Sequence, residues 1–341
     1  MFNKVFQLIH PRQFSPVYKE LEFDDRHIIV RPTYMSICHA DQRYYQGKRA
    51  EAILRQKLPM ALIHEAVGKV VYDPSETFAY GDHVVLIANT PRESDSVVAE
   101  NYLQSSLFRG SGFDGFMQEY ISMEADRVLA LPDNINMATA AFTEMVSVSY
   151  HAIRRFATIA HERRDVIGIW GDGNLGYITA LLLKHLEPHA RLFVFGVSEA
   201  KLNDFAFTDE TYMVASVPDG IKVDHAFECV GGPAASGAIN QIIDHISPEG
   251  TVSLMGVSED LVPMNTRMIL ERGLRLFGSS RSGRVDYEGV LELYNKAPDI
   301  MQRLDKLVGT EVLVHDIKDI TTAFEIDIHK NTGKTVMQWN I

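Results

Sequence analysis

The apolar run Val166-Ile167-Gly168-Ile169-Trp170, followed at once by Gly171-Asp172-Gly173-Asn174-Leu175-Gly176, constrains this chain more than any other feature. The run reads as a buried strand and the three glycines as a tight turn. Leu175, Ile178, Leu182 and Leu186 then recur at helical spacing until Pro188. Strand, G-x-G-x-x-G turn and helix, in that order, open a dinucleotide-binding unit. The first glycine permits the turn, the second lets a pyrophosphate approach the backbone, and the third lets helix pack on strand. The helix start offers free N–H groups and a partial positive charge. Gly171, Gly173, Asn174, Leu175 and Gly176 are therefore candidate cofactor-binding residues.

The texture downstream agrees. Leu192–Phe195, Val223–Val230, Thr251–Met255 and Leu274–Phe277 read as strands. Helix-like stretches at Ala200–Phe207 and Ala235–Ile246 separate them, which predicts an α/β, doubly wound parallel sheet. Upstream, short β-like runs at His27–Arg31, Ala66–Tyr72, His83–Ala88 and Arg127–Leu131 are punctuated by prolines and Gly81-Asp82, predicting a mostly β domain. At about 150 residues per domain, a chain of 341 residues holds two. The stretch after Phe277 is too short for a large core of its own and is expected to complete the first.

Twenty residues past Gly176, where an NAD site places a carboxylate, stands Gly196 in Phe195-Gly196-Val197-Ser198. Ser198 and Lys201 follow, and both can donate to a 2′-phosphate. This favours NADP(H) over NAD, although a solvated Ser and Lys at a helix start would look the same. Val230-Gly231, Val257, Ser280 and Arg281 follow later strands and are expected to line the rest of the cofactor. The net charge of -12 excludes a nucleic-acid coat. No apolar run is long enough to span a membrane, and the start MFNKVFQLIHPRQF lacks a signal-type core, so a cytoplasmic protein is expected.

Three pieces carry metal-ligand chemistry: Cys38 in Cys38-His39-Ala40-Asp41, the pair His64-Glu65, and Glu144 in Thr143-Glu144-Met145. Thiolate, imidazole and carboxylate together suit Zn²⁺ with an open position. Singly, each has an ordinary reading as a buried thiol, a hydrogen-bonded core histidine or an acid at a helix start. The two cysteines, Cys38 and Cys229, cannot build a four-cysteine zinc module, and Cys229 reads as a buried strand residue.

The order of these pieces resembles the zinc-containing medium-chain dehydrogenase/reductase family, the alcohol and polyol dehydrogenases. The resemblance implies a GroES-like catalytic domain from 1–147 and 278–341 around a Rossmann domain of 148–277. It implies one catalytic zinc on Cys38, His64 and Glu144, with Glu65 either a direct ligand or a partner beside the metal. A structural zinc is not expected, because the family's cysteine lobe would fall near 89–112, which holds no cysteine. Ala40 replaces the Ser or Thr that relays a proton in the family. Water, Glu65, His39 or a nearby tyrosine must then serve.

Longer blocks narrow the resemblance to bacterial ribulose-5-phosphate reductases. They include Pro11-Arg12-Gln13-Phe14, Cys38-His39-Ala40-Asp41-Gln42-Arg43-Tyr44-Tyr45, Asp114-Gly115-Phe116-Met117-Gln118 and Phe277-Gly278-Ser279-Ser280-Arg281-Ser282-Gly283. That resemblance implies NADPH-dependent reduction of D-ribulose 5-phosphate to D-ribitol 5-phosphate for wall teichoic acid. It also implies a homo-oligomer, and pairing with a cytidylyltransferase that consumes the product. The phosphate needs cations, and segment 43–57 supplies Arg43, Lys48, Arg49, Arg55 and Lys57 against one acid, Glu51. Arg43 is the first choice by position; a merely solvated basic loop is the alternative. Two other functions remain open: a zinc polyol dehydrogenase for an unphosphorylated sugar alcohol, and a nonenzymatic dinucleotide-binding protein.

Overall fold

Apolar strands alternating with amphipathic helices can bury their faces in one sheet when the strands run parallel and the helices serve as crossovers. The computed structural model, which describes residues 1–21 and 23–341, contains such a sheet. The chain separates into two units, Met1–Ser147 with Ser282–Ile341, and Val148–Arg281.

The Val148–Arg281 unit holds six parallel strands. Across the sheet they run Glu210–Met213, Arg191–Gly196, Val166–Trp170, Val223–Glu228, Ile246–Leu254 and Arg275–Gly278. In chain order this is third, second, first, fourth, fifth, sixth, the doubly wound arrangement expected from the sequence. The first strand is central, and Trp170 stacks on Phe195 with ring centres 3.8 Å apart. Two local expectations are corrected. The helix expected over Ala200–Phe207 is a short Glu199–Leu202 helix followed by a 3₁₀ turn at Asn203–Phe205. The edge strand Glu210–Met213 was not foreseen; it is short and half exposed, so it shows no alternation.

The other unit is mostly β, as expected. Its largest sheet runs Val128–Ala130, His83–Leu86, Glu65–Tyr72, His27–Ser36, Lys334–Trp339 and Val308–Val314, with Ile121–Glu124 also paired to His27–Ser36. The last strand of the chain, Lys334–Trp339, aligns Val336 with Ser36 and Met337 with Met35. That register brings residue 334 towards the loop that carries Cys38. Among the described residues, no helix is long and apolar enough to cross a membrane.

Candidate active site

Cys38 lies where the His27–Ser36 strand gives way to the His39–Tyr45 helix. Its N–H donates to Asp41 Oδ2 at 3.0 Å, so Asp41 caps the helix and fixes the cysteine. The other oxygen, Oδ1, accepts the N–H of Ile63 at 3.0 Å and lies 3.5 Å from His64 Nδ1. One buried carboxylate therefore ties the cysteine segment to the histidine segment.

Ile63 has φ of 72°. This left-handed conformation costs a β-branched residue roughly 1–3 kcal/mol and turns the chain sharply before His64. Its surroundings hold it there. Phe116 N–H donates to the Ile63 carbonyl at 2.8 Å. A Cβ at Gly115 would lie 2.3 Å from the carbonyl oxygens of Leu62 and Ile63, so only glycine fits. This gives the Asp114-Gly115-Phe116 block a physical role: it braces the loop that presents His64.

Cys38, His64 and Glu65 bring one donor atom each to within 4.8 Å of one another. Glu144, second residue of the Thr143–Ile159 helix, stands outside that close group but faces it. Burial raises its pKa to about 7, while the charge of His64 pulls the other way and that of Glu65 adds to the rise. The His64 pKa is raised well above the usual value: burial opposes the charged form, but Asp41 and then Cys38 outweigh it. Glu65 is wholly buried, and both its oxygens contact Lys334 Nζ, at 2.9 and 2.8 Å. Lys334 is also buried; burial lowers its pKa, but the charges of Glu65 and Cys38 outweigh that and hold it at about 12. A half-buried thiol with a buried imidazole and two buried carboxylates is a donor set that a divalent cation discharges, and its chemistry fits zinc. His39 is exposed beside Cys38, and Ala40 offers no hydroxyl.

The basic segment does not act as one patch. Arg55 pairs with Glu51 at 2.5 Å on an exposed helix face. Lys57 reaches the Ser111 carbonyl, and Arg49 lies over the Tyr44 ring at 4.9 Å.

In the other unit the glycine turn has the geometry its pattern demands. Gly171 has φ of 129°, and Gly173 caps the Asn174–Leu186 helix. A Cβ on Gly176 would lie 1.9 Å from the Gly171 carbonyl oxygen. Gly231, with φ of 64°, packs so close to Val257 that a Cβ would lie 2.8 Å from its backbone. Val230 and Val257 are exposed past the strand ends, and Ser280 and Arg281 follow the Arg275–Gly278 strand. Cys229 is buried, and burial pushes its thiol pKa far above the usual range, so it stays an inert thiol.

Two carboxylates organise these strand ends, and the sequence reading assigned neither a role. Asp172 Oδ2 accepts the N–H groups of Val197 and Ser198 at 2.8 and 2.7 Å. It fills the space that a side chain at Gly196 would need. Ser198 caps its own short helix through the Lys201 N–H. Glu228, 1% exposed, accepts the N–H groups of Val230 and Gly231 through Oε1 and of Gly256 through Oε2. An acid inside a glycine turn or at a strand end gives no spacing signal that separates such bracing from solvation.

This sheet order and this donor set define a zinc-type medium-chain dehydrogenase. Residues 24–133 match the alcohol dehydrogenase GroES-like domain family, and residues 206–296 match the zinc-binding dehydrogenase family. The chain is 53% identical to ribulose-5-phosphate reductase 2 of Staphylococcus aureus and 49% identical to ribulose-5-phosphate reductase of Bacillus spizizenii, over the whole of each protein. It superposes on the crystal structure of S. aureus TarJ in complex with NADPH with a TM-score of 0.89 and 46% identity, again over both full chains. The chain belongs to the ribulose-5-phosphate reductase family.

Proposed function

We propose that this chain reduces D-ribulose 5-phosphate to D-ribitol 5-phosphate with NADPH. The reading rests on the Cys38–His64–Glu65 cluster in a chain whose full length matches reductases of that name. Cys38, His64 and Glu144 would hold one zinc, with Glu65 beside it, and two cysteines are too few for a four-cysteine structural site. A zinc there would supply Lewis-acid polarisation of the C2 carbonyl. Asp41 keeps the cysteine and histidine segments at fixed separation, so no reorganisation is needed as charge develops on O2. His39, next to Cys38, passes a proton to O2 as hydride reaches C2. The N–H groups of the turn and helix start around Gly173 take the cofactor pyrophosphate, and Ser198 and Lys201 take its 2′-phosphate, while Val230, Gly231, Val257, Ser280 and Arg281 line the remainder.

The product is the substrate class for a cytidylyltransferase in wall teichoic acid synthesis. The protein acts in the cytoplasm, where NADPH is available, as a homo-oligomer. A substrate and cofactor panel tests the reading. NADPH oxidation is expected with ribulose 5-phosphate, to be lost on zinc chelation and to return with added zinc. Equal or better rates with ribulose and NADH would instead assign an unphosphorylated polyol dehydrogenase.

The cofactor assignment has its own test. Gly176→Ala forces the turn open, and overpacking of this kind costs about 1–3 kcal/mol. NADPH affinity, read by fluorescence titration, is expected to fall roughly 10- to 100-fold. Unchanged affinity would place the dinucleotide elsewhere.

A further inference from the structure

We propose that Ser282 is a positioning residue for Glu144: its hydroxyl, acting through Ser147, holds the helix turn that presents this carboxylate to the metal site. The inference deepens the proposed zinc site and rests on it. Its starting point is Glu144, which stands outside the close Cys38–His64–Glu65 group and so depends on its helix for its reach. Ser147 lies three residues further along the same helix, wholly buried, and its hydroxyl donates to the Glu144 carbonyl at 2.6 Å. A serine hydroxyl carries one proton. Ser147 gives its proton to Glu144, so in the 2.7 Å contact between the Ser147 and Ser282 hydroxyls the donor is Ser282. The result is a directed chain from Ser282 through Ser147 to the Glu144 backbone. Ser282 is 2% exposed, and away from water each such bond strengthens the next.

Ser282 can serve as an anchor because the residues after it are fixed. Gly283 caps the Arg284–Lys296 helix, its N–H donating to Oδ2 of the buried Asp286 at 2.9 Å. The Arg284 N–H donates to Glu100 Oε1 at 2.8 Å, and Arg127 Nη1 donates to the same oxygen at 2.7 Å. A Cβ at Gly283 would lie 2.7 Å from Glu100 Cγ, so the glycine lets that carboxylate close on the helix start. Ser282-Gly283, which ends the 277–283 block, thus acquires a physical role. The glycine seats the turn, and the serine transmits its position to Ser147.

Each segment of the proposed site is then braced from outside. Asp41 ties Cys38 to the loop before His64, Gly115 lets the chain pack against that loop, and Ser282 holds the turn of Glu144. Sequence distance hid the last of these, because 135 positions separate Ser147 from Ser282. A hydroxyl that only supports the fold would change unfolding and leave metal affinity alone. One that acts through Glu144 changes metal affinity, and does so only while Glu144 is present.

The experiment measures zinc affinity by chelator competition on the full chain, for the wild type, Glu144→Ala, Ser282→Ala and the double variant Glu144→Ala/Ser282→Ala. Ser282→Ala is expected to weaken zinc binding about tenfold, the low end of the range for losing a support outside the metal's own ligands. It should also shift the visible bands of cobalt(II)-loaded protein, which report the ligand field. In the Glu144→Ala background the same substitution should change zinc affinity by less than about twofold. Ser147→Ala should weaken zinc binding at least as much as Ser282→Ala, and urea unfolding of the zinc-free variants verifies that each is folded. If Glu144→Ala keeps wild-type zinc affinity, the proposed zinc site is wrong at that ligand, and the role of Ser282 falls with it. If Glu144→Ala weakens binding but Ser282→Ala does not, or does so equally with and without Glu144, the site stands and the role of Ser282 is overturned.

Discussion

Cys38→Ser is expected to strip the protein of zinc and to lower kcat/KM for ribulose 5-phosphate by about a thousandfold or more. The argument is chemical. Serine keeps the volume but exchanges a soft thiolate for a neutral hydroxyl, removing both charge and affinity from the donor set. A Lewis acid contributes several kcal/mol of transition-state stabilisation, and each 1.36 kcal/mol is about tenfold in rate. Elemental analysis of dialysed protein reads the metal, and steady-state oxidation of NADPH reads the rate. NADPH affinity should remain, since the glycine turn and the strand ends proposed to bind the dinucleotide lie within Val148–Arg281. Asp41→Asn provides the graded comparison. It leaves every donor in place but weakens the carboxylate that accepts the Ile63 N–H and lies beside His64. Loss of such an outer partner costs about 10- to 100-fold in metal affinity or activity. Full zinc occupancy and undiminished rate in Cys38→Ser would remove this cluster from the mechanism.

The contrast between Cys38 and its supports explains what was legible in the sequence. Residues whose role follows from their own chemistry could be read directly. A glycine at 176 is required because a Cβ would strike the Gly171 carbonyl, and that requirement leaves a pattern. A cysteine, a histidine and a glutamate ahead of that turn carry ligand chemistry by type. Residues that act by holding others could not be read. Lys334 meets Glu65 across 269 positions, and its neighbours announce only a strand. Asp172 and Glu228 could equally have been solvated acids until their backbone donors were seen. Segment 43–57 failed in the opposite sense: composition suggested a patch, whereas ion pairing, a carbonyl and an aromatic ring divide it.

Lys334→Met is expected to destabilise the zinc-free protein by about 3–5 kcal/mol, the cost of leaving a buried charge without its partner. Both groups are almost fully excluded from water, with side-chain exposures of 2% for Lys334 and 0% for Glu65. The penalty comes from desolvated carboxylate, not from lost apolar packing, because methionine nearly preserves the volume of the lysine stem. The double variant Lys334→Met/Glu65→Gln should therefore recover most of the loss, since replacing both members of a buried pair is often close to neutral. Urea unfolding of the wild type, the single variant and the double variant reads both effects. A loss that Glu65→Gln does not relieve would mean that Lys334 supports the fold through its aliphatic stem and not as the counter-charge of Glu65.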